Sequence, residues 1–220
     1  DPTGTSLASM RQIDDIGDIS EHTYASGALT RFVFTDLSGS SLISSYDVGY
    51  NLNGSHSYLS TTYDNGRLAA TTFTNGVRSS YLQTDAGNVD PNYHTLALTY
   101  SADGTAVTRQ TYTADNGNTI ATNFVAGTLT GGALNDSMIG AVGADTFVFA
   151  PNGGNDYVAN FENGADTIDL SGFGFSDFAQ VQALAIANGP NGVYLTFGAT
   201  NHLAVNGLSM ASLSAGDFLL

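Results

Sequence analysis

Hydrophobic and polar residues alternate over short segments through the first half of the chain. From about Thr23 to Phe124 the sequence is rich in Thr, Ser, Tyr and Val, which favours β-strands. No 3.6-residue periodicity persists in this region, which argues against helices. The segments that the pattern predicts as strands are residues 28–35, 41–51, 56–63, 67–73, 77–84, 95–100, 106–112 and 119–124.

Turn dipeptides separate these segments and indicate how they pair. Asn-Gly and Asp-Gly supply the positive φ angles of type I′ hairpin turns, so neighbouring segments are expected to pair as an antiparallel meander. The dipeptides are Asn65-Gly66, Asn75-Gly76, Asp103-Gly104 and Asn116-Gly117. Thr and Ser occupy both faces of several segments, and such sheets often cover a surface or pack against a partner. We predict an antiparallel β domain, a meander or a sandwich, at residues 23–125, after a lead-in at residues 1–22.

A different period begins at Gly131. Aspartates recur at positions 136, 145, 156 and 166, with spacings of nine, eleven and ten, and each is followed two positions later by a large apolar residue. The preceding glycines allow a tight turn in which carbonyl oxygens and a carboxylate converge. The apolar residues, each on a short strand and facing inward, are Met138, Phe147, Val158 and Ile168. Ordinary Gly/Asp turns are the alternative, but four in-phase pairs favour calcium, which accepts about six to eight oxygen ligands.

Four segments of this period resemble the RTX (repeat-in-toxin) family, specifically the C-terminal β-roll region of serralysin-like and other type I secreted proteins. They are GGALNDSMI, GAVGADTFVF, PNGGNDYVANF and ENGADTIDLSGF. The resemblance implies an all-β chain whose residues 126–172 form a short parallel β-roll with Ca²⁺ as its cofactor. Each calcium site would be closed by one turn and the next turn but one.

The resemblance also implies the metal ligands, residue by residue. The first site would use the carbonyls of Gly131 and Ala133 with Asp136, facing Asn152, Gly154 and Asp156. The second would use the carbonyls of Gly140 and Val142 with Asp145, facing Glu162, Gly164 and Asp166.

This region departs from the family pattern at several positions. Leu134 and Ala141 stand where glycine is usual, and Pro151 and Asn152 replace a glycine pair after an apparent insertion of Phe149 and Ala150. Upstream, residues 122–130 resemble a degenerate coil with Leu129 pointing inward. Gly127 occupies the aspartate position of that coil, so we expect the coil to offer backbone oxygens only.

The segment after Ser171 predicts a C-terminal cap at residues 173–220. We expect a short helix at residues 176–187, a turn at 189–192 and strands at 193–197 and 202–205. The last seven residues, SAGDFLL, resemble the ends of type I secreted RTX proteins. This resemblance implies an uncleaved C-terminal export signal, although the same residues would also serve as a last docked strand, and both roles are compatible.

The amino-acid composition narrows the classes of protein and of partner. The chain has 220 residues, 42% of them hydrophobic, and a mean hydropathy of −0.01, values typical of a globular protein. Twenty acids stand against five arginines and no lysine, which disfavours nucleic acid as a partner and favours bound cations. The absence of cysteine excludes disulfides and thiolate metal sites. No apolar run approaches the roughly 18 residues of a membrane helix, and no N-terminal signal peptide is visible.

Catalytic signatures are lacking in the sequence. The H-E-x-x-H signature is absent, since Glu21-His22 lacks a second histidine, and no G-x-S-x-G elbow or phosphate loop occurs. We therefore assign no catalytic residue and lean against an enzyme. Eight tyrosines between residues 46 and 112 would suit stacking on sugar rings, although packing within the sheet explains them as well.

These observations predict an extracellular calcium-binding protein, exported through type I secretion machinery. Its N-terminal β domain is expected to serve in binding or assembly, such as adhesion, glycan binding or association with a matrix or surface. Two alternatives remain at this point. One is a secreted enzyme that degrades polysaccharide or protein and carries an RTX tail. The other is a self-assembling subunit of an extracellular layer or fibre.

Overall fold

A computed structural model describes residues 8–86, 90 and 93–220. The chain divides into two compact units, residues 1–107 and residues 108–220. Strands dominate both units, which confirms the predicted all-β class. No helix within the described ranges is long and apolar enough to cross a membrane.

The first unit is an antiparallel meander in which each strand pairs with the next along the chain. This pairing confirms the predicted order. The strands are β1 (Ser9–Ile13), β2 (Ile19–Ala25), β3 (Ala28–Thr35), β4 (Ile43–Tyr50), β5 (His56–Tyr63), β6 (Arg67–Thr74), β7 (Val77–Asp85) and β8 (Thr95–Tyr100). Strand β1 and most of β2 lie in the predicted lead-in, where β1 escaped notice because its residues are largely exposed and show no apolar alternation.

Backbone angles at the hairpin turns follow the turn residues. Asn75 and Gly76 have φ angles of 53° and 81°, so this turn has the positive angles that type I′ requires. At the other three predicted dipeptides only the glycine has a positive φ. The prediction of type I′ geometry was therefore wrong for these three, although the glycine is still the residue that admits the turn.

Strand register gives the first unit two unlike faces. One face carries the transverse row Met10, His22, Phe32, Val48, Leu59, Thr71, Tyr81 and Leu98, one residue from each strand. The opposite face carries the row Arg11, Glu21, Val33, Asp47, Ser60, Ala70, Leu82 and Ala97. We call the first the aromatic face and the second the polar face. Within the described part of this unit, the buried hydrophobic residues are Val48 and Ala69, so a single layer, and not a sandwich, is observed.

The second unit contains the repeat region. Its strands are β9 (Val107–Thr113), β10 (Thr119–Asn123), β11 (Thr128–Thr130), β12 (Ser137–Ile139), β13 (Thr146–Val148), β14 (Asn155–Ala159), β15 (Thr167–Asp169), β16 (Ala185–Ala187), β17 (Gly192–Thr196), β18 (His202–Asn206) and β19 (Phe218–Leu219). Strands β10, β12, β14 and β18 pair in parallel in one sheet, and β11, β13, β15 and β19 pair in parallel in the other.

Successive strands of the repeat region alternate between these two sheets, which is the arrangement of a β-roll. The four apolar residues of the repeat are fully buried between the sheets, at 0% exposure each: Met138, Phe147, Val158 and Ile168. Leu129 of the upstream coil is also fully buried, as expected. The position two residues after each aspartate therefore predicted these four core residues correctly.

The C-terminal cap differs from its prediction at one element. Helix α1 spans only Phe178–Gln182, with Asp177 as its N-cap, and β16 (Ala185–Ala187) pairs with β17 instead of continuing the helix. A helix at residues 176–187 was wrong at its end because the following Gly-Pro-Asn-Gly turn lets this segment pair as a hairpin. Strands β17 and β18 confirm the expected pair, and β19 docks in parallel against β15.

Candidate metal centre

The turns that carry the predicted ligands stack in two columns. Pairing of β12 with β14 sets the turn at residues 131–136 beside the turn at 151–156. Pairing of β13 with β15 sets the turn at 140–145 beside the turn at 161–166. Each column therefore brings together one turn and the next turn but one, which is the pairing that the sequence resemblance implies.

In the first column, two buried carboxylates converge on one glycine. Asp136 and Asp156 are 4% and 6% exposed. A methyl group added at Gly131 would lie 3.6 Å from Oδ2 of Asp136 and 3.8 Å from Oδ2 of Asp156. The backbone N–H of Asp136 also donates a 3.0 Å hydrogen bond to Oδ1 of Asp156. Both carboxylates thus face the same space beside the 131–136 turn.

Gly154 shows how closely the two turns of the first column approach each other. Its φ is +94°, and a Cβ there would lie 2.7 Å from the carbonyl carbon of Leu134. The neighbouring Asn155 N–H donates to the side-chain oxygen of Asn135 at 2.8 Å. Asn152 adopts a φ of 64° although it replaces a glycine, a conformation that asparagine tolerates. The departures from the glycine pattern are therefore accommodated without separating the turns.

The second column repeats this arrangement with a third acid. Asp145 and Asp166 are 1% and 2% exposed, and the N–H of Asp145 donates to Oδ1 of Asp166 at 2.8 Å. Glu162 reaches across the column, where its Oε2 accepts a 3.2 Å hydrogen bond from the N–H of Gly143. A depression of about 450 Å³ lies at this column, lined by residues 140–142 and 160–162. Val142 turns its side chain to solvent, at 87% exposure.

The carboxylates of both columns are held by backbone amides. Asp136, Asp145 and Asp166 each accept a hydrogen bond from the N–H four residues earlier in their own turn, contributed by Gly132, Ala141 and Glu162 respectively. Because a carboxylate oxygen has more than one acceptor position, these bonds orient the group and leave capacity for a cation.

Burial and neighbouring charge raise the pKa of one acid in each column. Burial raises the pKa of Asp156 to about 6, with the negative charge of Asp136 adding to the effect against the opposing hydrogen bond from Asp136 N–H. Burial likewise raises the pKa of Asp166, helped by the charges of Asp145 and Glu162. A cation between the two turns of each column would relieve this repulsion.

The donor set fits a hard cation. Each column supplies buried carboxylates and the carbonyl oxygens of glycine-rich turns, which is the oxygen chemistry that calcium prefers. No cluster of three or more His, Cys, Asp or Glu that could hold a metal occurs within the described ranges. A metal in either column would therefore need backbone oxygens, in keeping with the implied ligands.

The structure also shows residues that sequence reasoning missed. Thr119 donates a hydrogen bond to Asp136, and Asn123 donates one to Asp145. The expectation that the upstream coil offers backbone oxygens only stays a prediction, because the Asn123 amide donates a hydrogen bond to Asp145 and presents no oxygen there. The sequence did contain one signal for Thr119. It precedes the buried Ala121 by two positions, as each aspartate of the repeat precedes its buried apolar residue.

Comparison with known proteins places this half of the chain in a family. No curated protein matches the chain. The family model described as Peptidase M10 serralysin C terminal matches residues 112–220, almost the whole of the second unit. Together with the in-phase aspartates and the parallel roll, this match identifies residues 112–220 as a serralysin-type C-terminal region with repeats of the calcium-binding RTX family.

Proposed function

We propose that this protein is exported by a type I secretion system and completes its folding outside the cell on calcium, while its N-terminal sheet binds a partner or assembles. The observation that carries the calcium part is the convergence of Asp136 and Asp156 on Gly131. The second column supports it, because Glu162 reaches across to the turn of Asp145. The twelve implied ligands remain the proposed sites.

Calcium would act on folding through mass action. The net charge of −15 favours an open chain, and each column concentrates acids that repel one another. Calcium binds only where two turns are stacked, so it stabilises the folded roll over the unfolded chain. Low calcium during export would leave the roll open, and millimolar calcium outside would close it.

The N-terminal part of the proposal rests on the aromatic face. Ring contacts run along it, with centroid distances of 4.7 Å for His22–Phe32, 5.6 Å for Phe32–Tyr46 and 5.1 Å for Phe34–Tyr46. A second set of ring contacts on the same face joins Tyr50, His56 and Phe73. These rings are partly exposed or exposed, and an exposed aromatic surface of this kind suits an interaction site.

Both faces carry arginines, and on the aromatic face Arg67 and Arg78 lie over tyrosine rings. On the polar face, Arg31 donates hydrogen bonds to both carboxylate oxygens of Asp47, and the hydroxyl of Tyr58 donates to Asp47 at 2.9 Å. The transverse row of the aromatic face contains no acid and no arginine. A neutral glycan, which stacks on aromatic rings and offers hydroxyl groups to tyrosine, suits such a surface.

Self-assembly is a second candidate because β1 is the outermost described strand at one edge of the sheet. Strand β1 is the first strand of the meander, and four of its five residues are exposed. An exposed edge presents unpaired backbone groups to a second chain.

Adjacent residues of β7 offer a matched test. Tyr81 lies on the aromatic face, and Leu82 lies on the polar face with 45% exposure. Binding to a panel of neutral polysaccharides, together with light scattering, should be lost or weakened in Tyr81→Ser and kept in Leu82→Ser. Equal effects of the two substitutions, or a wild type that binds no polysaccharide and stays monomeric, would count against the N-terminal role. Neither result would bear on calcium binding.

A further inference from the structure

The first coil of the roll precedes both candidate sites and carries no ligand aspartate. Ala121 pairs with Met138, and Leu129 pairs with Phe147, so these two residues begin the two columns. In the later turns the aspartate stands two positions before the buried apolar residue, so the equivalent positions here are two residues before Ala121 and Leu129. These positions hold Thr119 and Gly127.

In the first column, Thr119 bonds to the carboxylate that follows it. Its backbone N–H donates to Oδ1 of Asp136 at 2.9 Å, and its hydroxyl donates to the same oxygen at 2.6 Å. Asp136 in turn bonds to Asp156 through its own N–H. Thr119 thus occupies the side of Asp136 that faces away from the proposed site.

In the second column, Asn123 and Gly127 make the equivalent contacts. The side-chain Nδ2 of Asn123 donates to Oδ1 of Asp145 at 2.8 Å, and the N–H of Gly127 donates to the same oxygen at 2.7 Å. Asn123 is 5% exposed and Asp145 is 1% exposed, so the side-chain bond lies in the interior. Two donors on one carboxylate oxygen satisfy it on the upstream side.

We infer that Thr119 and Asn123 are positioning residues that close the upstream ends of the two columns and hold Asp136 and Asp145 in place for the cation. The inference rests on the proposed calcium sites. Charge-assisted donors provide, at the first coil, the positive partner that a cation provides between later turns. The first coil therefore needs no cation of its own, and we expect no third cation beside the two proposed sites.

The depression at the upstream end of the first column is poorly suited to a third cation. It has a volume of about 260 Å³ and is lined by residues on both sides of Asp136, among them Asn116, Asn118 and Asn135. A third cation there would need Oδ1 of Asp136, which already accepts two hydrogen bonds from Thr119. Asp115, the acid of the upstream turn, is exposed to solvent.

Calcium titration of the full chain by calorimetry tests the inference. Wild type should take up two ions. Thr119→Val removes the hydroxyl donor and keeps the N–H, and Asn123→Ala removes the amide donor. Each should raise the calcium concentration at half-saturation by roughly ten-fold, because a hydrogen bond to a charged group is worth about 1.5 kcal/mol or more. Thr119→Ser, which keeps the hydroxyl, is the matched control and should stay near wild type.

A double-mutant cycle separates positioning from general packing. In an Asp145→Ala background the effect of Asn123→Ala should disappear, whereas in an Asp136→Ala background it should persist. Equal effects of Asn123→Ala in both backgrounds would overturn the inference, as would uptake of three or more ions by wild type. If Asn123→Ala does not fold, the comparison of Thr119→Val with Thr119→Ser decides alone. Equal calcium concentrations at half-saturation for Thr119→Val and wild type would then overturn the inference. A wild type without calcium uptake would instead remove the proposed function.

Discussion

Two glycines at equivalent positions of the two columns give a prediction that depends on geometry alone. Gly154 and Gly164 have φ angles of +94° and +83°, so alanine at either position must adopt a left-handed conformation. That conformation costs an L-residue about 1–2 kcal/mol. The two positions differ in their surroundings. A Cβ at Gly154 would lie 2.7 Å from the backbone carbon of Leu134, whereas no atom of the described residues lies within 4 Å of a Cβ at Gly164.

The predicted magnitudes follow from this difference. Gly164→Ala should lower the free energy of unfolding by about 1–2 kcal/mol, the backbone cost alone. Gly154→Ala adds a clash with backbone that cannot rotate away, which costs about 1–3 kcal/mol more. The total for Gly154→Ala is therefore about 2–5 kcal/mol. The larger change should also weaken calcium binding in the first column, because the clash separates its two turns.

Urea denaturation in saturating calcium measures both variants under one condition. The expected result is a lower midpoint for Gly154→Ala than for Gly164→Ala, with similar slopes. Equal midpoints, or a lower midpoint for Gly164→Ala, would refute the close stacking of the 151–156 turn on the 131–136 turn.

Three further predictions follow from single residues. Met138→Ala should lower the free energy of unfolding by about 2–5 kcal/mol, measured by urea denaturation, because the side chain is fully buried in the roll. Asp156→Asn should reduce calcium uptake by one ion in calorimetry, whereas Asp169→Asn, at a partly buried acid outside the sites, should leave uptake unchanged. Asp47→Asn should cost about 1 kcal/mol or less at neutral pH, since its partner Arg31 is exposed and Asp47 is only partly buried. Hydrogen bonds from Arg31 hold the pKa of Asp47 below 3.8, so its contribution is present above pH 3.8 and is lost as pH falls through the lowered pKa. Thermal denaturation of both proteins from pH 7 to pH 3 checks this, and a difference that grows on acidification would contradict it.

The local patterns of the sequence predicted most of the fold because they act over a few residues. Strand β5 (His56–Tyr63) and strand β8 (Thr95–Tyr100) begin and end where alternation and turn residues placed them. Four buried residues of the roll were also predictable, since each follows its aspartate by two positions: Met138, Phe147, Val158 and Ile168. In both cases the sequence pattern and the structural feature that it predicts involve residues only a few positions apart.

Other features depend on contacts between distant residues and left little local signal. Asn123 reaches Asp145 across 22 positions, and this bond follows from the register of the two parallel sheets. The β16 segment (Ala185–Ala187) has helix-favouring composition, yet pairing with β17 overrides that preference. The two unlike faces of the N-terminal sheet likewise emerged only from the register of all eight strands.

The proposed metal ligands could be predicted from the sequence only in part. The spacing of the aspartates indicated which acids belong together, and the resemblance to the RTX family supplied the backbone carbonyls. The structure adds the convergence of Asp136 and Asp156 on one glycine. It also adds Thr119 and Asn123, whose residue types carry no metal signal in themselves.

Thermal unfolding of the full chain with and without calcium tests the central claim most directly. Circular dichroism in millimolar Ca²⁺ should show a higher melting temperature and more β signal than in EDTA, because each site adds about 2.7 kcal/mol at a hundred-fold excess over its dissociation constant. Mg²⁺ at the same concentration should have a small effect, because it demands a tighter octahedral shell. Identical melting curves in Ca²⁺ and in EDTA would contradict the account.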